Sequence, residues 1–308
     1  MNVLLTGGAG FIGSHIADAL LAEGHRVVVF DDLSTGRREN VPPDATFVEG
    51  DLRDGDAVDA VVRDHRPDAV CHQGAQTSVS VSTREPLRDA QINVLGTLHL
   101  LEACRTHGVG HVVFASTGGA IYGEVPEGTR AREDSSTHPL SPYACSKLAA
   151  EAYLGAYRQE HGLRSTVLRY GNVYGPRQDP HGEAGVVAIF ARRLLAGEAV
   201  RINARRDVGD PGCVRDYVYV DDVVRANLRA LRGELGASVL NVATGRGSTT
   251  AEVAHGLAAA GSIAPDVEHG PRRAGDLERS VLEPHPDLPP SVALEDGLAR
   301  TLAAFRRG

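Results

Sequence analysis

Short apolar runs alternate with amphipathic stretches over the first half of the chain. Apolar runs of strand length occupy residues 2–6, 26–30, 45–48, 69–72, 111–115 and 165–170. Helical spacing of apolar positions occupies residues 12–23, 55–64, 92–107 and 142–160. Strands and helices that alternate in this way form a parallel sheet with helices on both faces. The pattern therefore predicts an α/β protein with a doubly wound parallel sheet.

The second half of the chain has a looser pattern. Loop signals rich in Gly and Pro occur at residues 175–182 and 209–212, and they surround predicted helices near 186–196 and 249–260. A length of 308 residues suits about two domains. We predict a first domain over residues 1–170 and a smaller lobe over residues 171–308. The lobe would close over the ends of the strands, and the segment near 214–235 would pack back on the first domain.

The first predicted strand, helix and strand carry a glycine-rich turn. Its G-x-x-G-x-x-G spacing covers residues 7–13, and the second strand ends in Asp31 and Asp32. Glycines permit the tight turn and let the backbone approach a pyrophosphate, which the helix N-terminus attracts. These features predict a Rossmann-type dinucleotide site. Asp31 would bind the adenosine ribose and repel a 2′-phosphate, which favours NAD over NADP even though Arg37 and Arg38 lie nearby.

Composition excludes several classes of partner. The net charge is −8 with no basic block, which argues against a nucleic-acid partner. No apolar run approaches the roughly 18 residues of a membrane span. The first predicted strand begins at residue 2, so we expect no signal peptide. The four cysteines are widely spaced, as in a cytoplasmic protein with reduced thiols and no metal site.

A tyrosine and a lysine one helical turn apart form the candidate catalytic pair. Ser141 suits a helix N-cap and Pro142 the first helical position, so Tyr143 and Lys147 would share one face of the helix. A tyrosine that acts as a base near neutral pH must ionise far below its usual pKa of about 10. The lysine ammonium and a positive nicotinamide ring would both favour the phenolate. We therefore predict that Tyr143 is the general base.

Several strings together resemble the extended short-chain dehydrogenase/reductase superfamily. They lie at residues 6–13, 143–147 and 169–176. Residues 214–222 and 271–276 narrow the resemblance to nucleotide-sugar enzymes, and most of all to the UDP-galactose (UDP-glucose) 4-epimerases. The similarity extends over essentially the whole chain.

The resemblance implies a set of ligand contacts. It assigns NAD binding to Gly7, Gly10, Phe11, Ile12, Gly13, Asp31, Asp32, Ser34, Asp51, Leu52, Gly74, Ala75, Asn93, Tyr143, Lys147 and Tyr170. It assigns UDP binding to Asn172, Arg215, Arg273 and Asp276. Further candidates for contacts with the UDP-sugar, taken from the residues themselves, are Thr77, Ser78, Thr117, Val186 and Arg192. The guanidinium groups of Arg215 and Arg273 also suit a diphosphate on chemical grounds. A homodimer formed through helices near 92–107 and 142–160 is implied as well.

The stretch before Tyr122 distinguishes between related reactions. Related dehydratases carry an Asp-Glu pair at the positions of Gly119 and Ala120, and related decarboxylases keep a Glu there. Gly and Ala cannot move protons, so the prediction is epimerisation at C4 of a UDP-hexose through a transient 4-keto sugar. Another nucleotide-sugar reaction, or a non-catalytic NAD-binding sensor, is the alternative.

Two assignments stay open in the sequence. The usual hydroxyl partner of the catalytic tyrosine falls on Gly118, so we predict that Thr117 takes this role, with Ser116 as the alternative. The substrate pair is UDP-glucose and UDP-galactose, or UDP-glucuronate and UDP-galacturonate. The small Ser280 falls at a position that gates the hexose pocket in this family, and an inward-pointing Arg192 would bind a uronate carboxylate. Asp179 argues against the uronate, because some glucuronate epimerases have Arg there.

Overall fold

The computed structural model describes residues 1–181, 185–273 and 275–307. In the first half, the elements in chain order are β1 (Asn2–Thr6), α1 (Phe11–Ala22), β2 (Arg26–Asp31), β3 (Thr46–Glu49), α2 (Gly55–His65), β4 (Ala69–His72), α3 (Val79–Arg84), α4 (Pro86–Ala90), α5 (Gly96–His107), β5 (His111–Thr117), α6 (Gly118–Ile121), α7 (Pro142–His161) and β6 (Arg164–Tyr170). A 3-10 turn covers Arg38–Asn40, and a π-helical turn, Gln91–Leu95, joins α4 to α5.

The second half continues with β7 (Asn172–Tyr174), α8 (Val186–Leu195), β8 (Val200–Asn203), β9 (Val214–Tyr219), α9 (Val220–Leu231), β10 (Val239–Val242), β11 (Gly247–Thr249), α10 (Thr250–Gly261), β12 (Val267–Gly270), β13 (Arg279–Ser280) and α11 (Leu294–Phe305).

A seven-stranded sheet has the strand order β10-β6-β5-β4-β1-β2-β3. The pairs of β1 with β2 and β4, of β2 with β3, and of β4 with β5 are parallel. The predicted doubly wound Rossmann-type fold is confirmed. Each predicted strand of the first half matches an observed strand to within two residues at either end, because buried parallel strands are nearly continuous apolar runs.

The main core cluster lies between this sheet and helices α2, α5 and α7. Leu4, Phe30 and Phe114 contribute from the strands, and Leu100 and Leu154 contribute from α5 and α7. All five side chains are at most 2% exposed. This packing fixes α7 against the sheet, so the first turn of α7 has a defined place close to the end of β5.

The contacts between residues divide the chain into two compact units. The first contains Met1–Thr117, Ser141–Arg169 and Val224–Leu240. The second contains Gly118–Leu140, Tyr170–Val223 and the described residues from Asn241 onward. In the second unit β9 pairs with β7, β11 and β13, and β8 pairs with β12. Within the described ranges, no helix is long and apolar enough to cross a membrane.

Candidate active site

The glycine turn leaves almost no room for side chains. Gly7 has a φ of +69°, and an added Cβ there would lie 2.6 Å from the backbone nitrogen of Gly74. A Cβ at Gly13 would lie 2.2 Å from the carbonyl oxygen of Gly7. Helix α1 starts at Phe11, and Gly10 at its N-cap provides no side-chain hydrogen bond to it. The turn therefore brings bare backbone to a helix N-terminus, which fits a pyrophosphate.

Asp31 connects the end of β2 to this turn. Its side chain accepts hydrogen bonds from the backbone nitrogens of Ala9 and Leu33, both at 2.9 Å, and the residue is only 8% exposed. Burial raises the pKa of Asp31, and the two backbone hydrogen bonds oppose that rise. Asp32 accepts hydrogen bonds from the backbone and hydroxyl of Ser34. The acidic end of β2 is thus held in place beside the glycine turn.

The two arginines that could have favoured NADP have partners elsewhere. Arg37 forms an ion pair with Glu39 at 3.4 Å. The guanidinium of Arg38 lies 4.6 Å from the centroid of the Phe47 ring. The local geometry therefore agrees with the choice of NAD made from Asp31.

The remaining candidate cofactor residues differ in their burial and in their contacts with the protein. Asp51 forms an ion pair with Arg53 at 2.5 Å, and the side chain of Leu52 is buried against Gly96. The backbone nitrogen of Gly74 donates to the Thr6 hydroxyl at 3.1 Å. Ala75 is partly buried, and Tyr170, at the end of β6, is buried.

Asn93 lies in the π-helical turn and is bound by the protein itself. Its side-chain nitrogen donates to the carbonyl of Gln76, to Asp89 and to the Ser146 hydroxyl, at 2.9 to 3.1 Å. Its side-chain oxygen accepts from the backbone nitrogen of Gln76 at 2.9 Å. Asn93 therefore ties the segment after β4 to helix α7, and its amide is occupied by these contacts.

The candidate catalytic pair, Tyr143 and Lys147, lies on the first turns of α7. Ser141 caps the helix by accepting from the backbone nitrogen of Ala144 at 3.2 Å, and Pro142 takes the first position, as predicted. A hydrogen bond joins the phenol of Tyr143 to the side chain of Thr117. Burial raises the pKa of Tyr143 to about 12, and the Thr117 hydrogen bond acts in the opposite direction. The hydrogen bond with Thr117 thus makes the phenol easier to ionise.

Lys147, one helical turn after Tyr143 on α7, is buried. The residue is 4% exposed, and its Nζ lies 4.5 Å from the centroid of the Phe114 ring. Burial lowers the pKa of Lys147 to about 8, while Glu151 and Asp89 oppose the fall. Because this pKa lies close to neutral pH, the charge of Lys147 depends on the charged groups around it.

Ser116 and Thr117 make different contacts. The Ser116 hydroxyl donates to the carboxylate of Glu151, which also forms an ion pair with Arg169 at 2.6 Å. Sequence reasoning missed Glu151 and Arg169. The available signal was an acid one helical turn after Lys147 on the same face of α7.

The candidate sugar residues of the first unit and of helix α8 differ in exposure. Thr77 is exposed, and the Ser78 hydroxyl caps α3 by accepting from Val81. Val186 is the first residue of α8, and Arg192 lies on the exposed face of that helix. An exposed Arg192 gives no support to an inward contact with a uronate carboxylate.

The candidate UDP residues of the second unit lie around β9 and β13. Arg215 on β9 is the register neighbour of Ser280 on β13, and Ser280 is 2% exposed. Arg273 and Asp276 form an ion pair at 3.1 Å. Asn172 is partly buried on β7, which pairs with β9. The motif residue 274 lies outside the described residues.

The acids that follow β5 in the sequence have structural partners. Residues 118–121 form α6 and contain no ionisable side chain. Glu124 accepts hydrogen bonds from the backbone nitrogens of Glu278 and Arg279. Glu133 accepts from the backbone nitrogen of Asn241 at 2.9 Å. Both carboxylates thus have backbone partners within the second unit.

Comparisons with known proteins agree with this geometry. The model of the NAD dependent epimerase/dehydratase family matches residues 3–243. A UDP-glucose 4-epimerase from Mycolicibacterium smegmatis is 44% identical and covers 99% of both chains. The structure of a Thermus thermophilus UDP-glucose 4-epimerase in complex with NAD is 55% identical, with a TM-score of 0.95 over 99% of both chains. That of the Thermotoga maritima UDP-glucose 4-epimerase with UDP-glucose is 47% identical, with a TM-score of 0.93 over 100% of this chain and 99% of that one.

Proposed function

Because this chain belongs to the NAD dependent epimerase/dehydratase family, we propose that it interconverts UDP-glucose and UDP-galactose. It is an NAD-dependent UDP-hexose 4-epimerase. One observation carries the assignment of the reaction to residues. Tyr143 is hydrogen-bonded to Thr117 and stands one turn before Lys147, in a chain that has no acid at residues 118–121.

The residues divide the chemistry between them. Bound NAD would lie along the glycine turn and Asp31, and it supplies reversible hydride transfer at C4 of the sugar. Tyr143, as the phenolate, takes the proton of the C4 hydroxyl and later returns it to the 4-keto sugar. Thr117 stabilises the phenolate by its hydrogen bond, and the Lys147 ammonium stabilises it by charge.

We assign the UDP group to residues of the second unit. Arg215 and Arg273 would bind the diphosphate, because a guanidinium fork matches two phosphate oxygens. Asn172 and Asp276 would hold the nucleoside. If the protein binds only the nucleotide firmly, the 4-keto hexose can rotate about its diphosphate linkage. Rotation presents the opposite face of the sugar to NAD, which inversion at C4 requires.

The purified protein tests this function without added cofactor. We expect NAD to be released on heat denaturation, and UDP-galactose to be converted to UDP-glucose when only the sugar nucleotide is supplied. UDP-glucuronate is the second substrate to test, since the sequence leaves the uronate pair open. Tyr143→Phe is the matched control, and it should retain NAD but lose turnover. Absence of inversion at C4 with both UDP-galactose and UDP-glucuronate would refute the assignment.

We also propose that the protein is a homodimer. Leu95, the last residue of the π-helical turn before α5, is 49% exposed, and Tyr153 on α7 is 42% exposed. Two such apolar groups on neighbouring helices suit a helix-bundle contact with a second copy. Light scattering should give twice the chain mass, and Leu95→Glu combined with Tyr153→Glu should give the monomer. The cytoplasmic location stays a prediction.

A further inference from the structure

A buried ion pair lies one helical turn beyond the catalytic lysine. The Glu151 side chain on α7 is 7% exposed, and that of Arg169 on β6 is 8% exposed. Arg169 Nη2 lies 2.6 Å from one carboxylate oxygen, and its Nε lies 3.1 and 3.2 Å from the two oxygens. A buried pair seldom stabilises a fold more than apolar side chains of the same size would. Its presence here therefore points to a role in the reaction.

The pair contacts both elements that carry the catalytic groups. Tyr143, Lys147 and Glu151 are spaced four residues apart, so they follow one another along one face of α7. The Ser116 hydroxyl donates to Glu151 from β5, and Ser116 directly precedes Thr117. The carboxylate of Glu151 thus holds the strand that presents Thr117 to the helix that presents Tyr143 and Lys147.

Two carboxylates of the described residues act on the Lys147 ammonium. Glu151 of its own helix and Asp89 of α4 are the carboxylates that favour its charged form. His72 of β4 stays neutral, because burial and Lys147 lower its pKa to about 3. From β5 the neighbour is the Phe114 ring, and Tyr143 stands one turn earlier on the same helix. The charge of Lys147 therefore depends on two carboxylates, and Arg169 offsets one of them.

We propose that the Glu151–Arg169 ion pair is a positioning device that keeps Lys147 charged and holds Thr117 against Tyr143, and so sets the upper pH limit of the reaction. The inference rests on the proposed epimerase function. Glu151 and Arg169 act through Lys147 and Thr117, and neither needs to touch the substrate.

Removing the negative charge of the ion pair and removing its positive charge should shift the alkaline limb of the pH profile in opposite directions. In Glu151→Gln the carboxylate is lost and the Arg169 cation stays, so Lys147 loses its proton at lower pH. The alkaline limb of kcat/KM for UDP-galactose should move down by about one pH unit. In Arg169→Gln the carboxylate acts on Lys147 without its counter-ion, so this limb should move up. Glu160→Gln, an exposed change on the same helix, should leave the limb in place.

The charge-neutral double variant Glu151→Gln/Arg169→Gln covers the case in which a single variant does not fold. In the double variant the alkaline limb of kcat/KM should move to lower pH, but by less than in Glu151→Gln. The reason is that Glu151 acts on Lys147 more strongly than Arg169 does, so loss of both charges still removes a net stabilisation of the ammonium. For each variant, retention of NAD and an unchanged circular dichroism spectrum show that the protein is folded. The inference is overturned if the limb stays in place in folded variants, or if both single variants shift it in the same direction. A wild-type protein that inverts no UDP-sugar would instead refute the proposed function.

Discussion

The hydroxyl of Thr117 offers the most specific test of the catalytic site. Thr117→Val keeps the shape of the side chain and removes the hydrogen bond to the Tyr143 phenol. Ser116→Ala removes the adjacent hydroxyl, which donates to Glu151 instead. The two variants lie side by side on β5, so they separate the two partners that the sequence left open for Tyr143.

The expected loss follows from the charge that develops on the phenol. A hydrogen bond to a charged group contributes about 1.5–3 kcal/mol. Since about 1.4 kcal/mol corresponds to a factor of ten in rate, Thr117→Val should lower kcat by roughly 10- to 150-fold. The same hydrogen bond lowers the pKa of Tyr143, so its removal raises that pKa further above its usual value. The ascending limb of the pH–rate profile should therefore move to higher pH.

Initial rates of UDP-galactose conversion across pH provide the assay. Thr117→Ser should keep most of the activity, because it keeps the hydroxyl. Ser116→Ala should lose less activity than Thr117→Val and move the ascending limb by less, because it weakens the hold of Glu151 on β5 but keeps the Thr117 hydroxyl. The reasoning is refuted if Thr117→Val stays within about threefold of the wild type, or if Ser116→Ala moves the ascending limb further than Thr117→Val does.

Three further substitutions test other parts of the site. Gly13→Ala should lower the unfolding temperature and the NAD content, because its Cβ would lie 2.2 Å from the Gly7 carbonyl oxygen and overpacking costs about 1–3 kcal/mol; an unchanged melting curve would contradict this. Asp31→Ala should leave two backbone donors without an acceptor and reduce the NAD released on denaturation, whereas full retention would show that Asp31 is dispensable. Arg215→Met should raise KM for UDP-galactose far more than it lowers kcat, and the reverse split would remove Arg215 from the diphosphate site.

The sheet was more predictable than the helices beside it. Strands β1, β2 and β4 are buried apolar runs, and short runs of that kind between turn signals are typical of a parallel sheet. The predicted helix 92–107 is instead preceded by α3 and α4, and it is joined to α4 through the π-helical turn Gln91–Leu95. A π turn inserts a residue into the helical period, so apolar spacing does not register it. The short strands β7, β11 and β13 are too brief to show a period at all.

The positions of the catalytic groups were predictable, but their partners were not. Tyr143 and Lys147 are close because one helix spaces them, and that spacing is visible in the sequence. The bonds from Thr117 to Tyr143 and from Ser116 to Glu151 depend on where β5 meets α7. Such contacts join residues that lie far apart in the chain, and no local pattern specifies them. The same holds for Asn93, whose amide turned out to be bound to Gln76, Asp89 and Ser146.

The fate of the hydrogen at C4 tests the central claim most directly. UDP-galactose that carries deuterium at C4 would be converted by the purified protein without added NAD, and the product would be analysed by mass spectrometry and NMR. We predict UDP-glucose with the deuterium still at C4, because the hydride leaves the sugar and returns to it within one turnover. Loss of the deuterium to solvent, or exchange at C5 in its place, would contradict the account.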